Sequence, residues 1–386
     1  MAYSPHVVQG VCSVVQRRAL PGTVLGLLLA VALGAGASAC RSSPEQDAKA
    51  VATVCDGLLT KAVAEAYTGA SSAGVRPESA GGTPAPRQWC TLSPTTLVSV
   101  TASGRKEFHK TNPGDVWGIS GAQGSIPLGH GWLGGYYSFN NGVGPSGDQF
   151  RTEVAVLLDC PQVAGGGLLV AARDSVTAHG EVPAVFRTKL AGLAADAARH
   201  TAARWHCRGG LGRTPSGIPA AEPPPTDLTH TTGVCRGVIT PGLAEVTGAV
   251  QAQGSTPGLA LSEGCALKDA KGSLVLSLRA RYGPAASVAR KAPARFPEPG
   301  RTESPFSGLD ADLQDGTAGL QTVLWMSSRC ERGQGTAHYT LGLPGSYSKA
   351  PVPDTHWAQM LRTFAQRSAI RHGCSLPAEL STVGEP

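Results

Sequence analysis

Two spacings of apolar residues follow one another along the first half of the chain, and they predict helices at its ends with strands between them. Apolar positions recur every three or four residues over 48–68 and 183–207, as on the buried face of a helix. Stretches rich in alternating β-branched residues predict strands over 88–103, 153–160 and 167–172. The predicted order is therefore helix, several strands, helix.

The second half of the chain repeats this order. Helical spacing recurs over 234–247 and 354–374, and strands are predicted over 274–278, 321–326 and 336–343. Helices that flank a run of strands are typical of the α+β class. We therefore predict two tandem related α+β domains, each an antiparallel sheet packed against an N-terminal and a C-terminal helix.

Short repeated sequence motifs support an internal duplication of the chain. Residues 54–60 read VCDGLLT and residues 234–240 read VCRGVIT, and an Ala-Glu pair and a Thr-Gly pair follow each copy. Between the copies, residues 208–232 are rich in Pro and Gly and are typical of a linker. The predicted organisation is a signal peptide over 1–39, a tether over 40–47, a first domain over 48–207, the linker over 208–232, a second domain over 233–376 and a tail over 377–386.

Eight cysteines are expected to form disulfides in two quartets, one in each domain. An even number of cysteines behind an export signal is typical of disulfides formed in an oxidising compartment. Each quartet allows three pairings; we favour first with second and third with fourth, and a nested pattern remains open. The chain has no Cys-x-x-Cys motif and no Cys/His spacing typical of zinc, so we predict neither a metal site nor a cofactor. The two quartets are Cys55, Cys90, Cys160, Cys207 and Cys235, Cys265, Cys330, Cys374.

The N-terminus has the layout of an export signal. Arg17 and Arg18 precede a short apolar run over 23–33, and small residues lead from that run to Cys40. Residues 37–40 read ASAC and resemble the lipobox of bacterial lipoproteins, in which the peptide is cut before the cysteine and the thiol is lipidated. We therefore expect a protein anchored through Cys40 to the outer face of the cell membrane. A plain signal-peptidase cut with secretion, an uncleaved N-terminal transmembrane anchor and a twin-arginine signal remain alternatives.

The charge of the chain excludes one class of partner. The formal net charge is +6, and the sequence contains no long basic run interleaved with aromatic residues. We therefore expect no binding to nucleic acid. The expected partners are the membrane, through the lipid anchor, and an unknown protein, lipid or glycan.

The sequence motifs around the cysteines resemble those of small actinobacterial envelope lipoproteins of unknown function. The typical motifs of that family are Pro-Cys-x-Leu-Leu and Cys-x-Trp. Where that family has a tryptophan two residues after the second cysteine, this chain has Leu92 and Leu267. The resemblance implies a PsbP-like sandwich and a location in the cell envelope, and it implies no known activity. The matching stretches are residues 54–60, 89–92, 126–129 and 264–267, together with Cys235.

No catalytic motif for nucleophilic, metal-dependent or phosphate chemistry is present in the sequence. The favoured hypothesis is therefore a non-enzymatic binding or accessory module for a partner, a lipid or a cell-wall component. The alternative is a secreted hydrolase with a dispersed site in the first domain, near His109, Asp115 and His130.

Four aromatic residues follow one another closely in the Gly-rich part of the first domain. Packing in a core or loop is the expected role of such residues, and a contact surface for a glycan, peptide or lipid is the alternative. These residues are Trp132, Tyr136, Tyr137 and Phe139.

Overall fold

A computed structural model of the chain shows an α+β protein built around two large antiparallel sheets. The residues that it describes are 52–69, 76–79, 87–102, 125–144, 147–163, 165–208, 211–219, 223–239, 242, 245, 247–286, 320–331, 335–344, 354–377 and 381–382. The predicted signal peptide, tether and lipidation site at Cys40 lie outside these residues.

The first sheet has seven strands in the spatial order β3-β4-β5-β9-β8-β7-β6, and every neighbouring pair is antiparallel. A separate two-stranded hairpin, β1–β2, precedes it. The elements of this half are β1 (Thr53–Val54), β2 (Leu59–Thr60), α1 (Lys61–Thr68), β3 (Arg76–Ser79), β4 (Arg87–Thr91), β5 (Leu97–Ala102), β6 (Ile126–Pro127), β7 (Gly134–Gly144), β8 (Gly147–Asp159), β9 (Gly167–Ala178) and α2 (Ala184–Arg204).

The prediction of one helix over 48–68 is wrong for its described N-terminal part. Residues 53–60 form the β1–β2 hairpin, and its turn holds Cys55 and Asp56 at φ values of 56° and 54°. A right-handed helix cannot contain such backbone. Tertiary contacts hold the turn, because the Gln88 side chain donates to the Cys55 carbonyl at 2.8 Å and Arg204 donates to the Asp56 carbonyl. Helix α1 therefore starts only at Lys61, where Thr60 caps it.

The predicted helix over 183–207 is confirmed as α2, and it packs on one face of the first sheet. Leu190 and Leu193 of α2 join Val154 and Val156 of β8 in the main core of this half. Strands β8 and β9 are buried on both faces, since Leu157 and Leu169 belong to a second apolar cluster. Burial on both faces accounts for the nearly continuous apolar sequence of β8.

The second sheet also has seven strands, in the order β10-β11-β12-β13-β15-β14-β16. Helix α3 confirms the prediction over 354–374, and Leu361 and Phe364 pack with Leu341 in the core of this half. The elements are β10 (Thr226–Asp227), a 3₁₀ turn (Gly233–Cys235), β11 (Gln251–Gly254), β12 (Ser262–Lys268), β13 (Leu274–Tyr282), β14 (Leu320–Cys330), β15 (Gly335–Pro344), α3 (Asp354–His372) and β16 (Ser381–Thr382).

The predicted helix over 234–247 does not begin at Val234. The 3₁₀ turn occupies Gly233–Cys235, and Gly237 follows with a φ of 66°, which interrupts any helix there. As in the first half, backbone around the first cysteine of the quartet is shaped by a turn rather than by a regular helix.

The predicted linker over 208–232 is not a free spacer. The Arg213 amide donates to the His130 carbonyl at 3.0 Å, and the Ile218 carbonyl accepts from the buried Arg187 side chain at 2.9 Å. Residues 226–227 form β10 at the edge of the second sheet. The described residues of this stretch thus contact the first half and join the sheet of the second half.

The two halves share direct contacts. The Ser125 amide donates to the Ser262 carbonyl at 3.0 Å, and the Gly134 amide donates to the Leu259 carbonyl at 2.8 Å. Leu261 belongs to the apolar cluster that covers the outer face of β8 and β9. On the face of the first sheet opposite α2, the second half therefore covers β8 and β9.

Candidate functional site

The eight predicted disulfide cysteines form four bridges, two in each half of the chain, and no bridge joins the halves among these eight. Each bridge joins residues that are neighbours in their quartet, which is the favoured pattern, and the nested pattern is wrong. The bridges tie the turns before each sheet to β4 and β12, and the ends of β8 and β14 to residues that follow α2 and α3. The pairs are Cys55–Cys90, Cys160–Cys207, Cys235–Cys265 and Cys330–Cys374.

The residues proposed for a hydrolase do not form a described site. His109 and Asp115 lie outside the described residues. His130 is exposed in a left-handed turn, and its Nε2 atom lies 3.4 Å from both the carbonyl and the hydroxyl oxygen of Ser216. A separation of 3.4 Å is long for a hydrogen bond between a hydroxyl and an imidazole.

The aromatic residues of the first half divide between core and partly exposed positions. Trp132 and Tyr136 are buried in the main core, and the Trp132 indole donates to the Arg213 carbonyl at 2.6 Å. Tyr137 and Phe139 are half-buried on β7. Core packing is thus the observed role of the first two residues.

A cleft of about 320 Å³ lies between α1, α2, β9 and the turn before β5. That volume is at the lower end of the range for small-molecule sites in proteins. One wall is apolar and comes from the first turn of α2, and the floor carries hydroxyl groups and one carboxylate. The lining residues are Tyr67, Thr68, Ser93, Thr96, Asp174, Val185, Phe186 and Lys189.

Asp174 organises the floor of the cleft. The residue is 8% exposed, and its Oδ2 atom accepts from the Tyr67 hydroxyl at 2.7 Å and from the Thr96 hydroxyl at 2.8 Å. Its Oδ1 atom accepts from the Ser175 amide at 2.7 Å. Three donors thus fix the orientation of the carboxylate in the cleft.

Apolar and charged groups meet at the mouth of the cleft. The Phe186 ring lies 6.1 Å from the Tyr67 ring, centroid to centroid, and Val185 is 64% exposed. Lys189 is exposed one turn further along α2. The cleft therefore offers an apolar wall, a buried carboxylate and a cation at its rim.

A second group of polar residues is buried in the core of the C-terminal half. Both carboxylate oxygens of Glu263 accept from Arg371, at 3.1 Å and 2.7 Å, and Oε2 also accepts from the Ser368 hydroxyl at 2.5 Å. The Nε2 atom of His372 lies 3.3 Å from Oε1, and its ring stacks on Tyr282 at 3.6 Å. Burial alone would raise the pKa of Glu263, but His372 and Arg371 together lower it below its usual value.

The Glu263 cluster is not open to a ligand. The side chains of Glu263 and His372 have no exposed surface, and Ser368 is also fully buried. The geometry is that of a structural network in which each partner satisfies another. Sequence reasoning missed both Glu263 and Asp174; the available signal was a carboxylate within a run of small and apolar residues.

Buried tyrosines make alkaline stability a test of these environments. Burial raises the pKa of Tyr136 and Tyr339 to about 12, and it raises those of Tyr67 and Tyr282 well above 10.0. Because these pKa values are higher in the folded state, the protonated tyrosines contribute fully to the stability of the folded protein below pH 10. This contribution is lost as the pH rises through the pKa values of the folded state. We expect absorbance at 295 nm to show four tyrosines that ionise only as the protein unfolds, whereas urea-unfolded protein ionises near pH 10. Reversible titration of all tyrosines near pH 10 in folded protein would contradict these environments.

Within the described residues, no group of three or more His, Cys, Asp or Glu side chains is placed to hold a metal ion. A search of the same residues finds no helix with the length and hydropathy to span a membrane. In comparisons with known proteins, no family model, curated protein or solved structure matches the chain.

Proposed function

We propose that the protein is an extracytoplasmic, lipid-anchored binding module that holds a small polar ligand in the cleft at Asp174. The cleft is the observation that carries this proposal. It combines an apolar wall, a carboxylate fixed by two hydroxyl groups and an exposed lysine, which is the mixture by which binding sites orient small molecules.

The groups of the cleft favour binding over chemistry. Burial and the hydrogen bond to Asp174 raise the pKa of Tyr67, so its phenol stays protonated and serves as a donor rather than as a base. The Thr96 hydroxyl donates to the same Asp174 oxygen as Tyr67, and a carboxylate that already accepts two hydrogen bonds is a weaker base toward either hydroxyl group. A hydrolase that uses His130 remains the weaker alternative, because the contacts of His130 with Ser216 are long and exposed.

The proposed location rests on three features. Four disulfides are compatible with an oxidising, extracytoplasmic compartment. The N-terminal sequence has the layout of an export signal that ends at Cys40. The motifs around the cysteines resemble those of actinobacterial envelope lipoproteins. Together these support an anchor at Cys40 on the outer face of the membrane.

We also propose that the two halves are tandem copies of one ancestral domain. Strands β4-β5-β9-β8 of the first sheet are neighbours in the same order and with the same antiparallel directions as β12-β13-β15-β14 of the second. The four cysteine positions fall on equivalent elements in this correspondence. The Asp174 cleft has no such partner position, because Leu343 of β15 occupies the equivalent place when the strand registers are aligned through Cys90 and Cys265. One copy is thus proposed to carry the binding function.

A cleft-filling variant tests the binding function. Val185 is exposed and lines the cleft, so Val185→Trp should block the cleft without disturbing a core. Val250 is 46% exposed in the other half, and Val250→Trp is the matched control. By native mass spectrometry against a panel of amino acids, amino sugars, sugars and phosphate esters, we expect a compound that binds wild type and Val250→Trp but not Val185→Trp. Absence of any compound with this pattern would refute the proposed function.

The anchor is tested separately. Intact mass of the membrane fraction should show a lipid increment on the wild type that is absent after globomycin treatment and from Cys40→Ala. Equal masses and equal release from the membrane in all three samples would refute lipidation at Cys40.

A further inference from the structure

The hydroxyl hydrogens at the floor of the cleft can be assigned one by one. Each hydroxyl group has one hydrogen to donate. The Tyr67 and Thr96 hydrogens both go to Asp174 Oδ2, and the Thr68 hydrogen goes to the Ala64 carbonyl at 3.0 Å. None of these three groups retains a hydrogen for a ligand.

The same reasoning fixes the direction of a fourth bond. The Ser93 and Thr96 hydroxyl oxygens lie 2.7 Å apart, and distance alone does not say which one donates. Because the Thr96 hydrogen is committed to Asp174, Ser93 must donate to Thr96. All four hydroxyl groups of the lining have therefore used their hydrogens, and the side chains at the floor present only acceptor lone pairs and a carboxylate.

An acceptor-only floor discriminates between kinds of ligand group. A neutral hydroxyl group brings lone pairs that would find no side-chain donor there, whereas an ammonium group has three donors and no acceptor. Hydrogen bonds from an ammonium group to a carboxylate are also stronger than those between neutral groups. The floor is thus complementary to a primary ammonium group.

The rim has the opposite character. Among the described lining residues, Lys189 carries the side-chain donors that are not already engaged, and its ammonium group has donors only. It makes no hydrogen bond or ion pair with the described residues, so it is available to a ligand acceptor. An anionic group at this end of a ligand would complete both charge pairs.

We infer that the cleft binds a small molecule that carries a primary ammonium group, held at Asp174 and Tyr67, and an anionic group, held at Lys189. The inference rests on the proposed binding function and names the ligand class. The volume of about 320 Å³ limits the size. At about 30 Å³ for each water in the liquid, it has room for about ten waters, which suits a short amino-phosphate or amino acid.

Four related probes test the class by isothermal titration calorimetry on the full chain carrying Cys40→Ala. O-phosphoethanolamine has both groups, phosphocholine replaces the ammonium hydrogens by methyl groups, ethanolamine lacks the anion and ethyl phosphate lacks the ammonium. We expect O-phosphoethanolamine to bind at least about tenfold more tightly than phosphocholine, because the hydrogen bonds to Asp174 are lost. Equal affinity of these two probes, or tighter binding of ethyl phosphate, would overturn the inference.

Two variants assign the rim contact. Lys189→Gln should lower the affinity for O-phosphoethanolamine by roughly three- to fivefold, as expected for an exposed charge pair. The affinity for ethanolamine should not change. Lys271 is exposed in a turn of the other half, so Lys271→Gln is the matched control. Equal effects of the two variants, or none from Lys189→Gln, would overturn the assignment of the anion to Lys189.

The outcomes also separate this inference from the function on which it rests. Suppose that glucose or another neutral compound of the panel binds wild type but not Val185→Trp, while no zwitterion binds. The ligand class is then wrong and the binding function stands. If nothing binds in the cleft, both fail. Sedimentation with vesicles of phosphatidylethanolamine, against phosphatidylcholine, then identifies the source: binding to the former assigns a lipid headgroup, and binding only to the soluble ester assigns a free small molecule.

Discussion

Replacing Glu263 by alanine is expected to lower the free energy of unfolding by about 3–5 kcal/mol, because it leaves buried partners without their acceptor. Glu263 is fully buried and accepts from Arg371 and Ser368, with His372 at 3.3 Å. Removing the carboxylate leaves the Arg371 charge partly buried without its partner. Urea unfolding followed by circular dichroism should show a lower midpoint with an unchanged slope.

An exposed glutamate gives the control for this effect. Glu331 lies in the turn after β14, in the same half of the chain, and is exposed. Glu331→Ala should change the free energy of unfolding by less than about 0.5 kcal/mol. Similar losses for the two variants would show that the Glu263 network contributes nothing specific.

The same network predicts a direction of pH dependence. Because the pKa of Glu263 is lowered in the folded state, its contribution is present above the ordinary value of 4.5 and is lost as the pH falls through the folded value. The isosteric variant Glu263→Gln removes the titrating group. Its stability should therefore fall less between pH 5 and pH 3 than that of the wild type, and an identical acid profile would contradict the lowered pKa.

Long periodic elements and cysteine pairing could be predicted from the sequence because their physical causes are local or strongly constrained. The apolar spacing of α2 extends over enough residues to predict a helix rather than a strand. The predicted helix over 354–374 begins at Asp354, where α3 begins in the structure. The cysteine pairs follow from the order of elements, since neighbours in each quartet end up on adjacent elements. These predictions needed no knowledge of which strands pair.

The hairpin at 53–60 could not be predicted in this way. Val54, Leu58 and Leu59 have helical spacing, yet a turn buries them against the core that includes α2 equally well. What decides between the two is the left-handed backbone at Cys55, which is held by contacts with Gln88 and the bridge to Cys90. Such contacts come from residues about 35 positions away, and a local pattern does not contain them.

The cleft was missed for a related reason. Tyr67, Thr96, Asp174 and Lys189 come from four separate parts of the chain, and only the pairing of β5 with β9 brings Thr96 and Asp174 together. The strand predicted over 167–172 ends two residues before Asp174, so the prediction does not include this carboxylate in the sheet. Strand β9 continues to Ala178, and this extension places Asp174 next to α1.

Removing the bridge Cys330–Cys374 by a double replacement with alanine is expected to lower the free energy of unfolding by about 4 kcal/mol. The bridge closes 44 residues of chain, and the chain-entropy relation gives about that value for a loop of this length. The bridge ties the end of β14 to a residue just after the last turn of α3, so its loss frees the C-terminal end of that helix. The melting temperature should fall by about 10 °C.

The bridge Cys235–Cys265 gives a matched comparison within the same half, because it closes only 30 residues. If restriction of the unfolded chain is the cause, its double alanine variant should be less destabilised than the Cys330–Cys374 variant by only about 0.3 kcal/mol. Melting curves of both variants, with the wild type under reducing and non-reducing conditions, measure the difference. Reduction of the wild type should exceed either single loss, since it opens all four bridges. Unchanged melting of the reduced wild type would show that the bridges do not stabilise the fold, because a chain held by its apolar cores alone would not respond to the loss of its disulfides.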